Sequence, residues 1–254
     1  MHIPIRVFGG LVSIIAVTSS VKADAPAFDR PGIAFSPSTL PAGSFDWEQG
    51  LPDLTRTITD TGRFRLYSAD TLFRIGMTQQ VEFRLAVAAF NRLEVNSAGA
   101  REVSQGYGDT GIGIKISLPA SSQRLSWAAL LDTSLPTGQG AFRNRDAVYR
   151  AAIVGGWLLN EAQSIALYGS VARSGTQTSF TMSPNYSVKL SEAVGGFLEG
   201  GLTHRTHAPD DKVAGGGLTW AIQASIQLDA YADWGLTRAS TDLQTGMGLS
   251  VYFK

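Results

Sequence analysis

Residues 72–89 constrain the fold more than any other part of the sequence. Phe73 and Ile75 alternate with polar or small residues, the polar residues 78–80 follow, and the alternation resumes over residues 81–87. One apolar face and one charged face are typical of a β-hairpin that separates two environments. A soluble sheet with its apolar face inward would have the same pattern. The number of such units and the connectors between them therefore decide the fold.

The alternating unit recurs along the whole chain, and its connectors alternate between short and long. Short polar turns lie near residues 78–80, 119–123, 160–162, 191–192 and 222–223. Longer connectors rich in Gly, Pro, Asn, Asp and Ser lie at residues 52–65, 91–107, 136–147, 173–179, 203–211 and 235–241. Short turns at one end and long loops at the other are typical of a transmembrane β-barrel of the bacterial outer membrane.

We predict an all-β chain that forms an antiparallel up-and-down barrel of about twelve transmembrane strands. The strands lie near residues 44–51, 66–76, 81–90, 108–118, 125–135, 148–158, 163–172, 180–190, 193–202, 212–221, 224–234 and 242–253. Most have the length of about 9 to 11 residues that a tilted crossing requires. Because several are shorter, ten or fourteen strands remain alternatives.

Residues 1–23 have the features of a secretory signal peptide. A positive start with Arg6 precedes an apolar stretch at residues 7–17 that is too short to span a bilayer as a helix, and small residues end at Ala23. We expect cleavage between Ala23 and Asp24, and an uncleaved membrane anchor is the alternative. The expected location is the cell outer membrane of a Gram-negative bacterium.

Charge and composition agree with export and exclude several classes of function. The chain has no cysteine, so thiolate metal sites and cysteine nucleophiles are excluded. Two of the 21 basic residues and none of the 21 acidic residues lie in the signal peptide. The mature chain is thus near −2, which argues against a nucleic-acid partner. The remaining sequence of about 230 residues predicts one β domain at residues 44–254.

Residues 24–43 differ from the rest of the chain. Four prolines hold this segment extended and exclude it from central strands. One interpretation is a flexible periplasmic lead-in. The other is a plug inside the barrel, favoured by the apolar residues Phe28, Ile33 and Phe35, with Asp29 and Arg30 pairing to charges of the lumen.

The alternation assigns the charged side chains to the lumen and residues such as Ile114 and Leu131 to lipid. The candidate lumen or plug residues are Asp29, Arg30, Asp46, Glu48, Asp70, Arg74, Glu82, Arg84, Asp109, Lys115, Asp132, Arg150, Lys189, Glu199, Asp229 and Asp233. Both signs are interleaved, so the chain lacks the basic ladder that a channel for anionic solutes needs. The charges either pair across strands or set a weak selectivity.

A catalytic or metal site is not expected. After signal-peptide removal only His204 and His207 remain, in a connector with Asp210 and Asp211. A lipid-modifying barrel needs a serine, a histidine and an acid side by side on its wall. A His-x-x-His pair in a loop has no fixed geometry for a metal. We therefore expect no cofactor, no metal and no enzyme activity.

Several motifs occur in a characteristic order. They are DRPG at 29–32, LPAG at 40–43 before Phe45, Trp47 and Glu48, the hairpin FRIGMTQQVEFRLAV, GYGD at 106–109 before IGIKISL, ALLDTSLPTG at 129–138, and Gln227-Leu228-Asp229. As a set they resemble the outer-membrane transporter-like family named for the meta-pathway of phenol degradation.

The resemblance implies a barrel that admits hydrophobic or aromatic compounds. It also marks Asp29, Arg30, Asp109 and Asp229 as the recurring polar positions of that family. We expect a passive channel for such small solutes. The alternative is a closed structural or surface-interaction barrel without transport. Expected partners are outer-membrane lipid and lipopolysaccharide, the outer-membrane assembly machinery and small hydrophobic solutes. The glycines at 108, 111 and 113 either let the wall approach a plug or bend the strand.

Overall fold

A computed structural model describes residues 27–254, and the expected signal peptide with its cleavage site lies outside the described residues. The described residues form fourteen strand segments. They are β1 (Phe45–Gly50), β2 (Asp53–Thr59), β3 (Gly62–Gly76), β4 (Val81–Ser97), β5 (Ala100–Gly106), β6 (Thr110–Leu118), β7 (Leu125–Leu135), β8 (Val148–Leu158), β9 (Gln163–Ser174), β10 (Gln177–Lys189), β11 (Val194–Arg205), β12 (Asp211–Gln223), β13 (Ile226–Gly235) and β14 (Leu243–Phe253). No helix among these residues is long and apolar enough to cross a bilayer.

The fourteen segments build twelve barrel strands, because two barrel strands are each interrupted once. Segments β1 and β2 both pair with β3 and with β14. Segments β5 and β6 both pair with β4. All pairings are antiparallel, and the pairing of β1 and β2 with β14 closes the sheet. The predicted twelve-stranded antiparallel barrel is confirmed.

Both interruptions lie where the backbone cannot continue a regular ladder. Pro52 separates β1 from β2 and has no N–H to donate. Between β5 and β6, the N–H of Gly108 donates to the carbonyl oxygen of Ala88 at 2.8 Å. Residue 89 is the extra residue of a bulge, since Ala88 and Phe90 pair with consecutive residues of β3.

Three of the six predicted long connectors are in fact mostly strand. They are residues 52–65, 91–107 and 173–179, where the hairpins β2–β3, β4–β5 and β9–β10 continue almost to their tips. In β4–β5 the tip is Ala98 and Gly99, both with positive φ, as a two-residue hairpin turn requires. Both faces of these extensions carry polar residues, so the two-residue apolar period that predicts a strand is missing.

The other three long connectors are loops, at residues 136–147, 206–210 and 236–242. All six lie at one end of the barrel, called here the loop end. The opposite end, called the turn end, carries the five short connections and the start of β1 next to the end of β14. Phe45 contacts Phe73 and Phe253 there, with ring centroids 5.8 and 5.6 Å apart.

Side chains alternate between the two faces of the wall. Outward residues such as Ile114, Leu131 and Met247 are 49%, 65% and 57% exposed. The inward residues Arg74 and Lys115 have no exposed surface. The wall is therefore apolar outside and polar inside, as the alternation predicts and as a membrane-spanning barrel requires.

The barrel interior is filled on one side by residues that precede β1. Phe35 packs against Tyr168 in an edge-to-face arrangement with centroids 5.8 Å apart. It joins Leu130 and Val154 in the main apolar cluster of the described residues. Leu40 is fully buried as well. Residues 27–43, called here the lumen segment, thus supply much of the core.

Candidate functional site: the lumen and its N-terminal segment

The lumen segment is tied to the wall at the turn end. The N–H of Gly43 donates to the carbonyl oxygen of Gly76 at 2.8 Å, and the N–H of Leu40 donates to Glu82 Oε2 at 3.1 Å. A Cβ on Gly76 would lie 1.9 Å from the carbonyl oxygen of Pro41, so no other residue fits at that position. The lumen segment therefore enters the lumen directly at its junction with β1.

Asp29 connects the lumen segment to three basic groups of the wall. Its carboxylate pairs with the guanidinium of Arg84 and with Lys115 Nζ at 3.2 Å, and Arg74 Nη1 lies 3.6 Å away. The backbone N–H of Asp29 donates to Glu48 Oε1 at 2.9 Å. One side chain of the segment thus contacts β3, β4 and β6, while its backbone contacts β1.

Arg74 is the centre of this cluster. Its Nε and Nη2 donate to the two oxygens of Glu82, each at 2.9 Å. Its Nη1 donates to Asp46 at 2.9 Å, to Glu48 at 3.1 Å and to the backbone oxygen of Ala27 at 3.2 Å. All of these side chains are fully buried. The guanidinium therefore links the wall carboxylates to one another and to the lumen segment.

Asp29 and Arg30, the two residues that anchor the segment, are each kept charged by a different set of partners. Burial alone raises the pKa of the Asp29 carboxyl, but the charges of Arg74, Lys115 and Arg84 outweigh it and hold that pKa well below its usual range. Burial of Arg30 lowers its pKa, but a hydrogen bond to Asp53 and the charge of Asp229 hold that pKa above its ordinary value.

Arg30 forms a second anchor, on the neighbouring strand segments β2, β13 and β14. Its guanidinium donates to both oxygens of Asp53, at 3.1 and 3.2 Å, and to Asp229 at 3.3 Å. A Cβ on Gly248 would lie 2.3 Å from Arg30 Nε, so a bare backbone is what admits the guanidinium. Sequence reasoning missed Asp53, because it placed residues 52–65 in a loop.

The remaining acidic candidates near the segment are only partly paired. Glu199 accepts the backbone N–H of Ile33 at 2.9 Å through Oε2, while its Oε1 is buried without a partner among the described residues. Asp233 is buried and its Oδ1 also has no hydrogen-bond partner there. The β11–β13 side of the lumen is therefore held less tightly than the Arg74 side.

The remaining five candidates form no hydrogen bond or ion pair with the lumen segment among the described residues. Asp132 pairs with Arg150 at 2.9 Å, and Lys189 pairs with Glu192 at the mouth of the turn end. Two more carboxylates accept hydrogen bonds farther from the turn end than the Arg74 cluster: Asp70 from Ser68, and Asp109 from the backbone N–H groups of Gly138 and Asn144. Asp109 thus shapes the loop at 136–147, and its place in the lumen or plug stays a prediction.

The glycines that admit the segment are not the ones expected. Added Cβ atoms at 108, 111 and 113 would meet neighbouring wall residues rather than the lumen segment. By contrast, a Cβ on Gly201 would lie 2.8 Å from Ile33, and one on Gly156 would lie 3.2 Å from Pro37. Close approach of the segment is therefore spread over β3, β8, β11 and β14, which no local sequence pattern indicates.

A cavity of about 700 Å³ remains between the lumen segment and the wall. It lies at the turn end, next to the turns at 160–162 and 191–193, with apolar lining from Phe28, Phe35 and Phe197. Pockets that hold small organic molecules have volumes of roughly 300–1,000 Å³. The lumen thus has room for a small molecule on one side of the segment.

The wall is weakened between β10 and β11. The ladder pairs Met182 and Asn185 with β11 but leaves Ser183 and Pro184 without partners there. A depression of about 1260 Å³ lies at this place, lined by lipid-facing residues such as Met182 and also by the lumen-facing Glu199. Lipid-facing and lumen-facing side chains thus both line the depression at this seam.

The two histidines lie at the loop end, His204 in β11 and His207 in the loop that follows it. His204 Nδ1 lies 2.8 Å from Asp210 Oδ1, and its side chain is 58% exposed. No group of three potential metal ligands occurs in residues 27–254. We predict that the double variant His204→Ala/His207→Ala retains wild-type solute uptake. A folded double variant with lost uptake would contradict this.

Comparisons with known proteins place the chain in a family and a fold. The family model described as "Putative MetA-pathway of phenol degradation" matches residues 28–253. No similar sequence was found among curated proteins.

Solved outer-membrane barrels share the fold at low sequence identity. The COG4313 outer membrane channel from Pseudomonas putida F1 is 13% identical with a TM-score of 0.69, covering 88% of this chain and 99% of that one. KdgM porin is 11% identical with a TM-score of 0.56, covering 83% and 99%. The translocator domain of the autotransporter NalP from Neisseria meningitidis is 10% identical with a TM-score of 0.55, covering 84% and 89%. At these identities the likeness shows the fold alone.

Proposed function

The chain belongs to the MetA-pathway phenol-degradation family, and from this membership and the lumen geometry we propose that it is an outer-membrane channel for passive uptake of small hydrophobic or aromatic compounds. The observation that carries the proposal is a lumen narrowed by its own N-terminal segment beside a partly apolar cavity. A narrowed lumen with room for one small molecule suits selective passage better than a wide aqueous pore.

The lumen segment acts as the gate in this proposal. Asp29 and Arg30 hold it through charges, which water can replace if the segment moves toward the turn end. Its apolar residues Phe28 and Phe35 line the cavity, so an apolar solute can take over their contacts with the wall. A solute that enters from the loop end would displace the segment and cover the apolar wall surface that the segment leaves.

The seam between β10 and β11 supports a second exit, sideways into lipid. Pro184 cannot donate a ladder hydrogen bond, so opening there breaks fewer bonds than elsewhere in the wall. An apolar solute gains by moving from the lumen directly into the hydrocarbon layer. This route would leave the lumen segment in place.

The proposal has the chain exported with cleavage of residues 1–23, inserted by the outer-membrane assembly machinery and surrounded by outer-membrane lipid and lipopolysaccharide. The turn end then faces the periplasm and the loop end faces the cell exterior. Residues 24–43 form a gating unit and residues 44–254 the barrel. No enzyme activity is part of the proposal.

A closed barrel without transport is the second candidate, and the buried Arg74 cluster favours it. A guanidinium that holds four carboxylates around it resists displacement of the segment. Such a barrel would act through its loop-end surface alone.

A reversible cross-link between the segment and the wall tests the gate. The chain has no native cysteine, and the Cβ of residue 156 would lie 3.2 Å from Pro37 Cγ. The variant Pro37→Cys/Gly156→Cys is therefore expected to form a disulfide. We expect cells of a porin-poor strain with an intact lipopolysaccharide layer to take up the apolar dye N-phenyl-1-naphthylamine severalfold more slowly when the disulfide is formed.

Addition of a small reductant should restore the uptake rate. The two single-cysteine variants are the controls and should match the wild type in both conditions. An uptake rate that is the same with and without the cross-link would contradict gating by the segment and favour the exit route at the seam between β10 and β11. Uptake no faster than in cells without the protein would contradict transport altogether.

A further inference from the structure

Five arginines lie on one face of the β2–β5 extensions at the loop end. Cross-strand pairing arranges them in three rows, from β2 to β5. The rows are Leu54, Tyr67, Arg92 and Gln105; Arg56, Arg65, Glu94 and Val103; and Ile58, Arg63, Asn96 and Arg101. This set, called here the arginine patch, contains a single acidic residue.

The arginine patch faces outward, away from the lumen. Asp53 of β2 points into the lumen, where it accepts hydrogen bonds from Arg30. Because side chains of a strand alternate, Leu54, Arg56 and Ile58 lie on the opposite face. Ile58 is 49% exposed, which agrees with this assignment.

The patch lies at the height where the hydrocarbon layer ends. On β3, Ile75 is the last outward apolar residue at the turn end, and Arg65 follows ten residues away on the same face. At about 3.3 Å per residue and a tilt of about 40°, ten residues rise roughly 25 Å, which is the height of the apolar band of such barrels. Arg65 therefore lies level with the outer headgroups and not deep in the membrane.

The charges of the patch are unbalanced. Arg56 lies directly opposite Arg65, and like charges in that position destabilise a strand pair. Glu94 is already occupied, with Arg92 Nη2 at 2.9 Å and Arg101 Nη2 at 3.1 Å. Within residues 27–254 neither Arg56 nor Arg65 forms an ion pair.

One nitrogen atom of the patch lacks a hydrogen-bond acceptor in the described part of the chain. Arg56 Nε is buried and has no hydrogen-bond partner within residues 27–254. A buried charged donor without an acceptor costs free energy, so an acceptor from outside the chain is expected at this position. Together with the facing Arg65 and with Arg63 in the next row, it would present three guanidinium groups to one anion.

We propose that the arginine patch binds the phosphate groups of lipopolysaccharide in the outer leaflet. Guanidinium groups bind phosphate through paired, charge-assisted hydrogen bonds, and the exposed apolar residues beside them suit acyl chains. A soluble anion would not need a site at membrane height on the lipid-facing wall. The bound lipid would hold the β2–β5 extensions against the membrane surface.

Binding of purified lipid A to the detergent-solubilised barrel, counted by native mass spectrometry, tests the proposal. The variant is Arg56→Gln/Arg63→Gln/Arg65→Gln. The control is Arg143→Gln/Arg145→Gln/Arg173→Gln, which removes three exposed arginines elsewhere at the loop end. A basic residue near an anionic lipid surface contributes roughly fivefold in affinity, so we expect a loss on the order of 100-fold in the patch variant and none in the control.

Three further arms separate the sources of phosphate and guard against misfolding. Dephosphorylated lipid A should bind wild type and patch variant equally weakly, and inorganic phosphate should fail to displace bound lipid A. If the triple variant does not reach the heat-modifiable folded form, Arg65→Lys keeps the charge and loses the paired donors, and should lose affinity severalfold. Equal lipid A affinity in all folded variants, or full displacement by inorganic phosphate, would overturn the proposal.

Discussion

Replacing Arg74 with glutamine is expected to lower the free energy of unfolding of the barrel by about 3–5 kcal/mol. Arg74 is fully buried and lies within 3.6 Å of four carboxylates, three of them on the wall and one, Asp29, on the lumen segment. Without the guanidinium, Arg84 and Lys115 are the only basic groups left beside these acids in the described cluster. Buried carboxylates without a counter-charge are strongly destabilising.

Urea titration of the protein in lipid vesicles would measure this loss. The matched control is Arg150→Gln, which also removes an inward arginine of the wall. Within the described residues the one ion pair of Arg150 is with Asp132, and the Arg150 side chain is 44% exposed, so the expected loss is about 0–1 kcal/mol. Equal losses in the two variants would show that the Arg74 cluster has no special role in holding the structure.

The barrel itself was predictable from the sequence because its physical cause is local. Lipid on one side and polar groups on the other impose a two-residue period on each strand, and residues 72–89 show that period plainly. The short turns at one end fixed the pairing of neighbouring strands. The even number of strands placed both termini at the same end of the barrel.

The extensions at the loop end could not be predicted in this way. Above the membrane both faces of β2 and β5 meet water or headgroups, so the apolar period disappears while the ladder continues. For that reason the sequence pattern did not indicate the roles of Asp53 and of the arginine patch. One local signal was the dipeptide Ala98-Gly99. Its glycine readily adopts the positive φ of a two-residue hairpin turn, and it therefore indicates the tip of β4–β5.

The contacts of the lumen segment were predictable only in part. The charges of Asp29 and Arg30 between prolines indicated a segment able to pair inside a barrel. Their partners, such as Lys115 at 86 residues from Asp29, depend on which strands meet around a closed sheet. The glycines that admit the segment, such as Gly248, depend on the same closure and carry no local signal.

Removing residues 24–43 is expected to open a continuous aqueous pore through a barrel that stays folded. The deletion removes Phe35 and Leu40 from the interior and leaves the lumen lined by charged wall residues. Arg74 keeps Asp46, Glu48 and Glu82 as partners, and Lys115 keeps Glu82 at 3.2 Å. Water can solvate the charged side chains that remain in the lumen. The barrel stays closed because β1 and β2 pair with β14, and this pairing does not involve the lumen segment.

Single-channel conductance in planar bilayers, compared between the mature chain and the chain lacking residues 24–43, tests the central claim most directly. Heat-modifiable gel mobility should first confirm that both proteins are folded. The account predicts rare or small current steps for the mature chain and frequent, larger steps for the deletion. Silence from a folded deletion variant would mean that the wall side chains close the lumen by themselves, and it would contradict gating by the lumen segment.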